Sequence, residues 1–248
     1  MDDGVAAVIF DWGGTLTPWH TIDLAEQWTV YAAAVHGRRP ERVRRAAAAL
    51  HEAENAAWAA SRDEQTSSRL ADILTSAGVG RHEAGELAYR QFWEPHTLLD
   101  PQVPALFSAL RERGVRVGVL SNTIWDRRWH EEIFARDGVL DLIDGAVYTS
   151  EVPWTKPHRE VFRAAMAALG VSDPGACVFV GDRPYDDISG AVAAGMRAVL
   201  VPHSDIPFSQ QVPVDVEPDA VVQQLGDLLP IVDGWRRGGP VTGRAARP

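Results

Sequence analysis

The sequence predicts an α/β fold, a Rossmann-like doubly wound parallel sheet with an inserted all-helical cap. Three observations predict it. Short apolar runs at 5–10, 115–120, 146–148, 177–180 and 198–201 have the length and composition of strands buried on both faces. Helical patterns over 103–113, 128–136, 158–169 and 188–194 alternate with the later runs, as crossovers between parallel strands require. About a hundred residues separate the first run from the second. That is far more than the roughly 12 a crossover needs.

The first run ends at Asp11, followed by Gly13 and Gly14. The long connection then holds four helical segments with start and stop signals. Segment 22–35 stops before Gly37, and 40–60 opens on a proline suited to a first helical turn. Segment 65–77 is followed by Gly78, and 82–94 is halted by Pro95. Such an insert, placed directly after the first strand, hangs over the carboxyl edge of the sheet and forms a lid. The expected organisation is a core of 1–17 and 98–235, a helical cap of 18–97, and a disordered Arg/Gly/Pro tail of 236–248.

Composition narrows the function. The chain has 248 residues and a formal net charge of -10, which argues against nucleic acid or an anionic membrane as partner. No apolar stretch approaches the ~18 residues of a membrane span, and the first residues lack the basic start of a signal peptide. A cytoplasmic location is expected. Cys177 stands alone, within an apolar run, and reads as a small buried residue. Lys156 is the sole lysine among 24 basic residues.

In doubly wound sheets ligands bind beyond the carboxyl ends of the strands. There the sequence places Asp11-Trp12-Gly13-Gly14-Thr15, then Ser121-Asn122-Thr123, then Trp154-Thr155-Lys156-Pro157, then Gly181-Asp182-Arg183-Pro184-Tyr185-Asp186-Asp187. A carboxylate such as Asp11 can attack phosphorus and split one hard displacement into two easier ones. Magnesium prefers oxygen ligands, and Asp11, Asp182 and a backbone carbonyl at Gly13 are candidates to supply them. Lys156 is a compact charge that can sit between Asp11 and phosphate oxygens. Ser121, with backbone around Trp12, Gly13 and Asn122, can hold the remaining oxygens.

This ordered set resembles the haloacid dehalogenase-like (HAD) superfamily over residues 5–201. The four motifs correspond to Asp11, Ser121, Lys156 and the acidic pair Asp182 with Asp187, and the insert resembles a C1-type cap. The resemblance implies a Mg2+-dependent hydrolase acting on a small phosphorylated metabolite through an aspartyl-phosphate, with Asp187 joining the metal set.

One departure matters. Family phosphatases carry a second Asp two residues after the nucleophile as acid and base, and this chain has Gly13. General acid–base catalysis is worth about 10²–10⁴-fold. Gly13 therefore also raises the alternative of a catalytically weakened ligand-binding or regulatory protein. Haloacid dehalogenases work without metal and lack the acidic motif found here. Phosphonoacetaldehyde hydrolases share a similar sequence around the nucleophile but need a cap lysine, and residues 18–97 contain none.

His20, Asp23 and Glu26 are candidate replacement acids, set against a plainer role at a helix start. His158 reads as a first-turn residue. Trp12, Trp19, Trp125, Trp129 and Trp154 flank the motifs, either as a substrate wall or as packing between cap and core.

Overall fold

The computed structural model describes residues 4–18, 22–202 and 211–238. Its sheet contains β1 (Ala7–Phe10), β2 (Arg116–Ser121), β3 (Gly145–Tyr148), β4 (Cys177–Gly181), β5 (Arg197–Leu200) and β6 (Ala220–Val221). The strand order is β3-β2-β1-β4-β5-β6, and every neighbouring pair is parallel. The doubly wound architecture expected from the sequence is present. β1 lies between β2 and β4, with Phe10 opposite Val119 on one side and Val180 on the other.

Period-two alternation divides the buried strand residues between two faces. Val8, Phe10, Val178 and Val180 join a core with Phe107 of α5 (Val103–Glu112), Phe134 of α6 (Arg127–Arg136) and Trp235 of α9 (Leu228–Arg236). Ala7, Ile9, Cys177 and Phe179 join a second core with Phe162 of α7 (Arg159–Ala168) and Ala191 of α8 (Gly190–Ala194). Cys177 is thus fully buried, as its setting in the sequence predicts. Residues Pro184–Ser189 form a π-helical turn leading into α8.

Between β1 and β2 lie α1 (Leu24–His36), α2 (Pro40–Glu64), α3 (Leu70–Ser76) and α4 (Glu83–Trp93). Trp28 and Tyr31 of α1 bury themselves completely against α2 and α4, where Leu50 and Tyr89 are also buried. A carboxylate lies in the same interior. Glu54 accepts hydrogen bonds from Trp28 Nε1 (2.7 Å) and Gln27 Nε2 (2.9 Å), while Trp93 Nε1 donates to Gln27 Oε1 at 2.9 Å. Among the described residues, no helix is long and apolar enough to cross a membrane.

Three elements differ from expectation. Segment 65–77 is helical only from Leu70. Gln65 ends α2 in the left-handed region at φ 56°, and 66–69 run extended beside residues 150–154. β6 and α9 were not predicted. Of the expected tail, Arg236 closes α9 and residues 239–248 lie outside the described ones.

Candidate active site

Parallel strands deliver their carboxyl ends to one edge, and the predicted motifs meet there. Asp11 follows β1, Ser121 closes β2, and Asp182 follows β4. The Asp11 N–H donates to Val180 O at 2.9 Å, which places it beside the end of β4. Asp11, Ser121, Lys156, Asp182 and Asp187 are all buried.

Carboxylates dominate the site. Asp11, Asp182 and Asp187 each offer an oxygen, and these lie within 4.8 Å of one another. Lys156 Nζ bridges two of them, at 2.6 Å from Asp11 Oδ1 and 2.7 Å from Asp187 Oδ1. Arg183 Nε approaches Asp182 Oδ2 at 3.4 Å. Three anions packed this tightly repel each other and favour an added cation. Burial raises the Asp187 carboxyl above the ordinary carboxylate range; the Lys156 charge opposes that rise, and the Asp11 and Asp182 charges add to it. Burial also works against the Lys156 ammonium, but Asp11 and Asp187 outweigh it and hold its pKa above the ordinary lysine value.

Several supports were not legible beforehand. Thr15 Oγ1 lies 3.3 Å from Asp11 Oδ2 and 3.4 Å from Asp182 Oδ1, joining the ends of β1 and β4. Gly14 has φ 91°, and a Cβ there would sit 2.7 Å from Asp182 Oδ2, so only glycine fits. A Cβ on Gly181 would fall 2.3 Å from Asp187 Oδ2. Asp187 Oδ2 also accepts the Arg183 N–H at 2.9 Å, so both of its oxygens are engaged. Asn122 grips the lysine backbone, accepting from Lys156 N (2.8 Å) and donating to Lys156 O (3.2 Å).

Gly13 is different. Its φ is not positive, and a Cβ built on it meets nothing within 4 Å. The glycine is therefore not imposed by crowding or by turn geometry.

A family model for haloacid dehalogenase-like hydrolases matches residues 5–195. The chain belongs to that family. Among curated relatives, phosphoserine phosphatase of Thermus thermophilus is 33% identical over 147 residues, covering 59% of this chain and 57% of the relative. A phosphatase of Mycobacterium tuberculosis is 31% identical over 169 residues, covering 67% of this chain and 69% of the relative. Glyceraldehyde 3-phosphate phosphatase of Methanothermobacter thermautotrophicus is 36% identical, with coverage of 41% and 43%. The chain thus spans about half the length of the first relatives it matches.

Solved HAD structures share the fold. A 2-haloacid dehalogenase from Pseudomonas syringae aligns with TM-score 0.63 at 23% identity, covering 93% of this chain and 99% of that one. A HAD phosphatase from Thermococcus onnurineus aligns with TM-score 0.62 at 22% identity and the same coverage. Both chemistries sit on this scaffold, so the fold does not choose between them.

Asp23 is exposed and caps α1, accepting the Ala25 N–H at 2.9 Å, and Glu26 is exposed in the first turn. His20 and Trp19 lie outside the described residues. His158 caps α7, its Nδ1 accepting the Glu160 N–H at 3.3 Å, and its ring stacks on Trp154 at 4.3 Å. Trp125 stacks on Trp129 (3.7 Å) and meets Trp12 (5.4 Å) and Trp93 of α4 (5.3 Å) edge-on, so these tryptophans pack the insert against the core.

His130, which no motif marks, is buried in the same cluster against Tyr148 and Trp12. Burial, aided by Arg127, lowers its pKa to about 3, so the ring is neutral and cannot serve as an acid near neutrality.

Proposed function

We propose that this HAD-like hydrolase is a magnesium-dependent phosphatase acting on a small phosphorylated compound through an aspartyl-phosphate on Asp11. The observation that carries the reading is the set of three buried carboxylates within 4.8 Å of one another, served by one lysine. A donor set of hard oxygens with excess negative charge suits magnesium. Asp11, Asp182 and the Gly13 carbonyl would hold the ion, with Asp187 completing the acidic site. When bound, it neutralises charge on the phosphoryl oxygens and on the attacking carboxylate.

The protein's own groups then divide the work. An Asp11 oxygen attacks phosphorus and the leaving-group oxygen departs with the bonding pair, giving an acyl phosphate that water hydrolyses in a second step. Lys156, buried beside Asp11, offsets the charge that two approaching anions would otherwise accumulate. Ser121 and the backbone of Trp12, Gly13 and Asn122 hold the other phosphoryl oxygens. The curated HAD relatives named as phosphatases support this chemistry over dehalogenation.

Gly13 favours a second reading, a HAD fold that binds a ligand or partner with little turnover. One experiment separates these readings. Phosphate release from a panel of acyl, aryl and sugar phosphates, and halide release from 2-haloacids, are measured with and without magnesium. Magnesium-dependent phosphate release that vanishes in Asp11→Asn is the expected result. Halide release in excess chelator would establish dehalogenation instead, and silence in every arm would count against the phosphatase reading.

A further inference from the structure

The loop that carries Lys156 is clamped from two sides. On the core side, Asn122 grips the Lys156 backbone. On the other side, the helical insert laces residues 150–155 in antiparallel fashion. Thr155 N donates to Gln65 O (2.9 Å), Thr66 bridges Trp154, and Ser67 N donates to Pro153 O (3.1 Å). The Ser67 hydroxyl donates to Val152 O, and Arg69 Nε donates to Ser150 O at 2.8 Å.

Side chains close the end nearest the lysine. Ser61 Oγ donates to Thr155 Oγ1 at 3.0 Å, and Thr155 Oγ1 donates to Ser61 O at 3.3 Å. Both residues are buried, and the cavity they help line holds about 10 Å³. That is at the lower limit of the roughly 10–15 Å³ needed to hold a single water molecule. Lifting the insert therefore exchanges these bonds for bonds to water and takes away the partners that hold residues 150–155 in place.

We propose that docking of the insert and placement of Lys156 are one event, with Ser61 and Thr155 as positioning residues. With the insert docked, residue 155 is fixed and the adjacent ammonium is held 2.6 Å from Asp11 and out of solvent. With it undocked, residues 150–155 lose their partners and the ammonium is released to solvent. The effect on turnover rests on the role proposed for Lys156; the effect on its exposure does not.

The sequence supplies its own reporter, because Lys156 is the sole lysine. An amine-acylating reagent applied to the full chain, followed by peptide mass spectrometry, reads Lys156 separately from the terminal amine. Wild type is expected to label slowly. Ser61→Ala and Thr155→Val are expected to label about tenfold faster, as loss of one or two net hydrogen bonds from the docked state implies. Thr155→Ser, which keeps the hydroxyl, is expected to label at the wild-type rate.

Arg113→Gln controls for global unfolding, since it breaks the Arg113–Asp233 pair between α5 and α9 (2.8 Å) and leaves the seam intact. It should lower Tm without faster labelling. Equal labelling of wild type, Ser61→Ala and Thr155→Val would overturn the proposal, as would equal acceleration by Arg113→Gln. Faster labelling supports the clamp whatever turnover does, whereas turnover of Lys156→Met tests the lysine's role, so the two readings fail separately.

Discussion

Lys156 Nζ lies 2.6 Å from Asp11 Oδ1, in a pair whose side chains are 2% and 8% exposed. Few solvent dipoles reach it, so each charge depends on the other. The ammonium also serves Asp187, so two buried acids at this edge share a single ammonium.

Replacing the cation isolates the acids. Lys156→Met keeps much of the volume but leaves Asp11 and Asp187 without their shared partner. Breaking a buried pair from one side costs about 3–5 kcal/mol. Urea unfolding should show a loss of that size, with turnover down at least about 10²-fold because positive charge at the reacting phosphate is gone. A variant as stable as wild type would mean that the carboxyls are protonated in the native protein.

Metal binding should be visible without any substrate. An ion that binds only the folded state stabilises it by about 2.7 kcal/mol at a hundred times its Kd. Each kcal/mol raises Tm by roughly 2–4 °C for a chain of this size. Magnesium should therefore raise the Tm of wild type and fail to do so in Asp182→Asn. An equal rise in both proteins would place the ion elsewhere.

Glu54 gives a pH dependence far from the reaction. Burial raises its pKa above the ordinary 4.5, opposed by hydrogen bonds from Trp28, Trp58 and Gln27 and by the nearby His51. A raised carboxyl binds its proton more tightly in the folded protein than in the unfolded chain. Its contribution is complete below the unfolded value and is lost as pH rises through the folded one. Glu54→Gln removes the charge and keeps an oxygen acceptor for Trp28. Its Tm should exceed that of wild type at about pH 8, and the gap should close towards about pH 4. A gap that widens on acidification would show that the ionised form is the stabilising one.

Legibility followed how local the determinants were. β1 and β4 read directly because every residue in them is apolar or small and buried on both faces. The motif residues read because parallel strands bring their carboxyl ends together whatever the intervening chain does. β6 was invisible, since two residues set no period and Val221 is half exposed. α9 contains Pro230 and Gly234, residue types that disfavour helix interiors, although the proline falls in the first turn. The extended 66–69 segment carries helix-compatible residues, and its conformation comes from pairing with the lysine loop. Thr15, Asn122 and His130 act through contacts that sequence spacing does not encode.

Gly13 is where the structure sharpens an expectation most. Without an acid there, the leaving group must depart as an anion or take a proton from water. A carboxylate or phenolate manages this easily, and an alkoxide does not. Wild type should therefore favour acyl or aryl phosphates over alkyl phosphates by roughly the 10²–10⁴-fold that acid catalysis contributes. The backbone at Gly13 lacks a positive φ, and a Cβ there meets no atom within 4 Å, so Gly13→Asp should fold without strain. The new carboxyl would project from the residue two beyond the nucleophile into open space. Turnover of one alkyl and one aryl phosphate, compared in both proteins, should show the aryl preference shrinking because the alkyl ester gains most. If wild type already cleaves the two esters equally fast, another group donates the proton. Asp23 and Glu26 would then need to leave their exposed positions at the start of α1 to reach the site, and each can be tested by substitution with its amide.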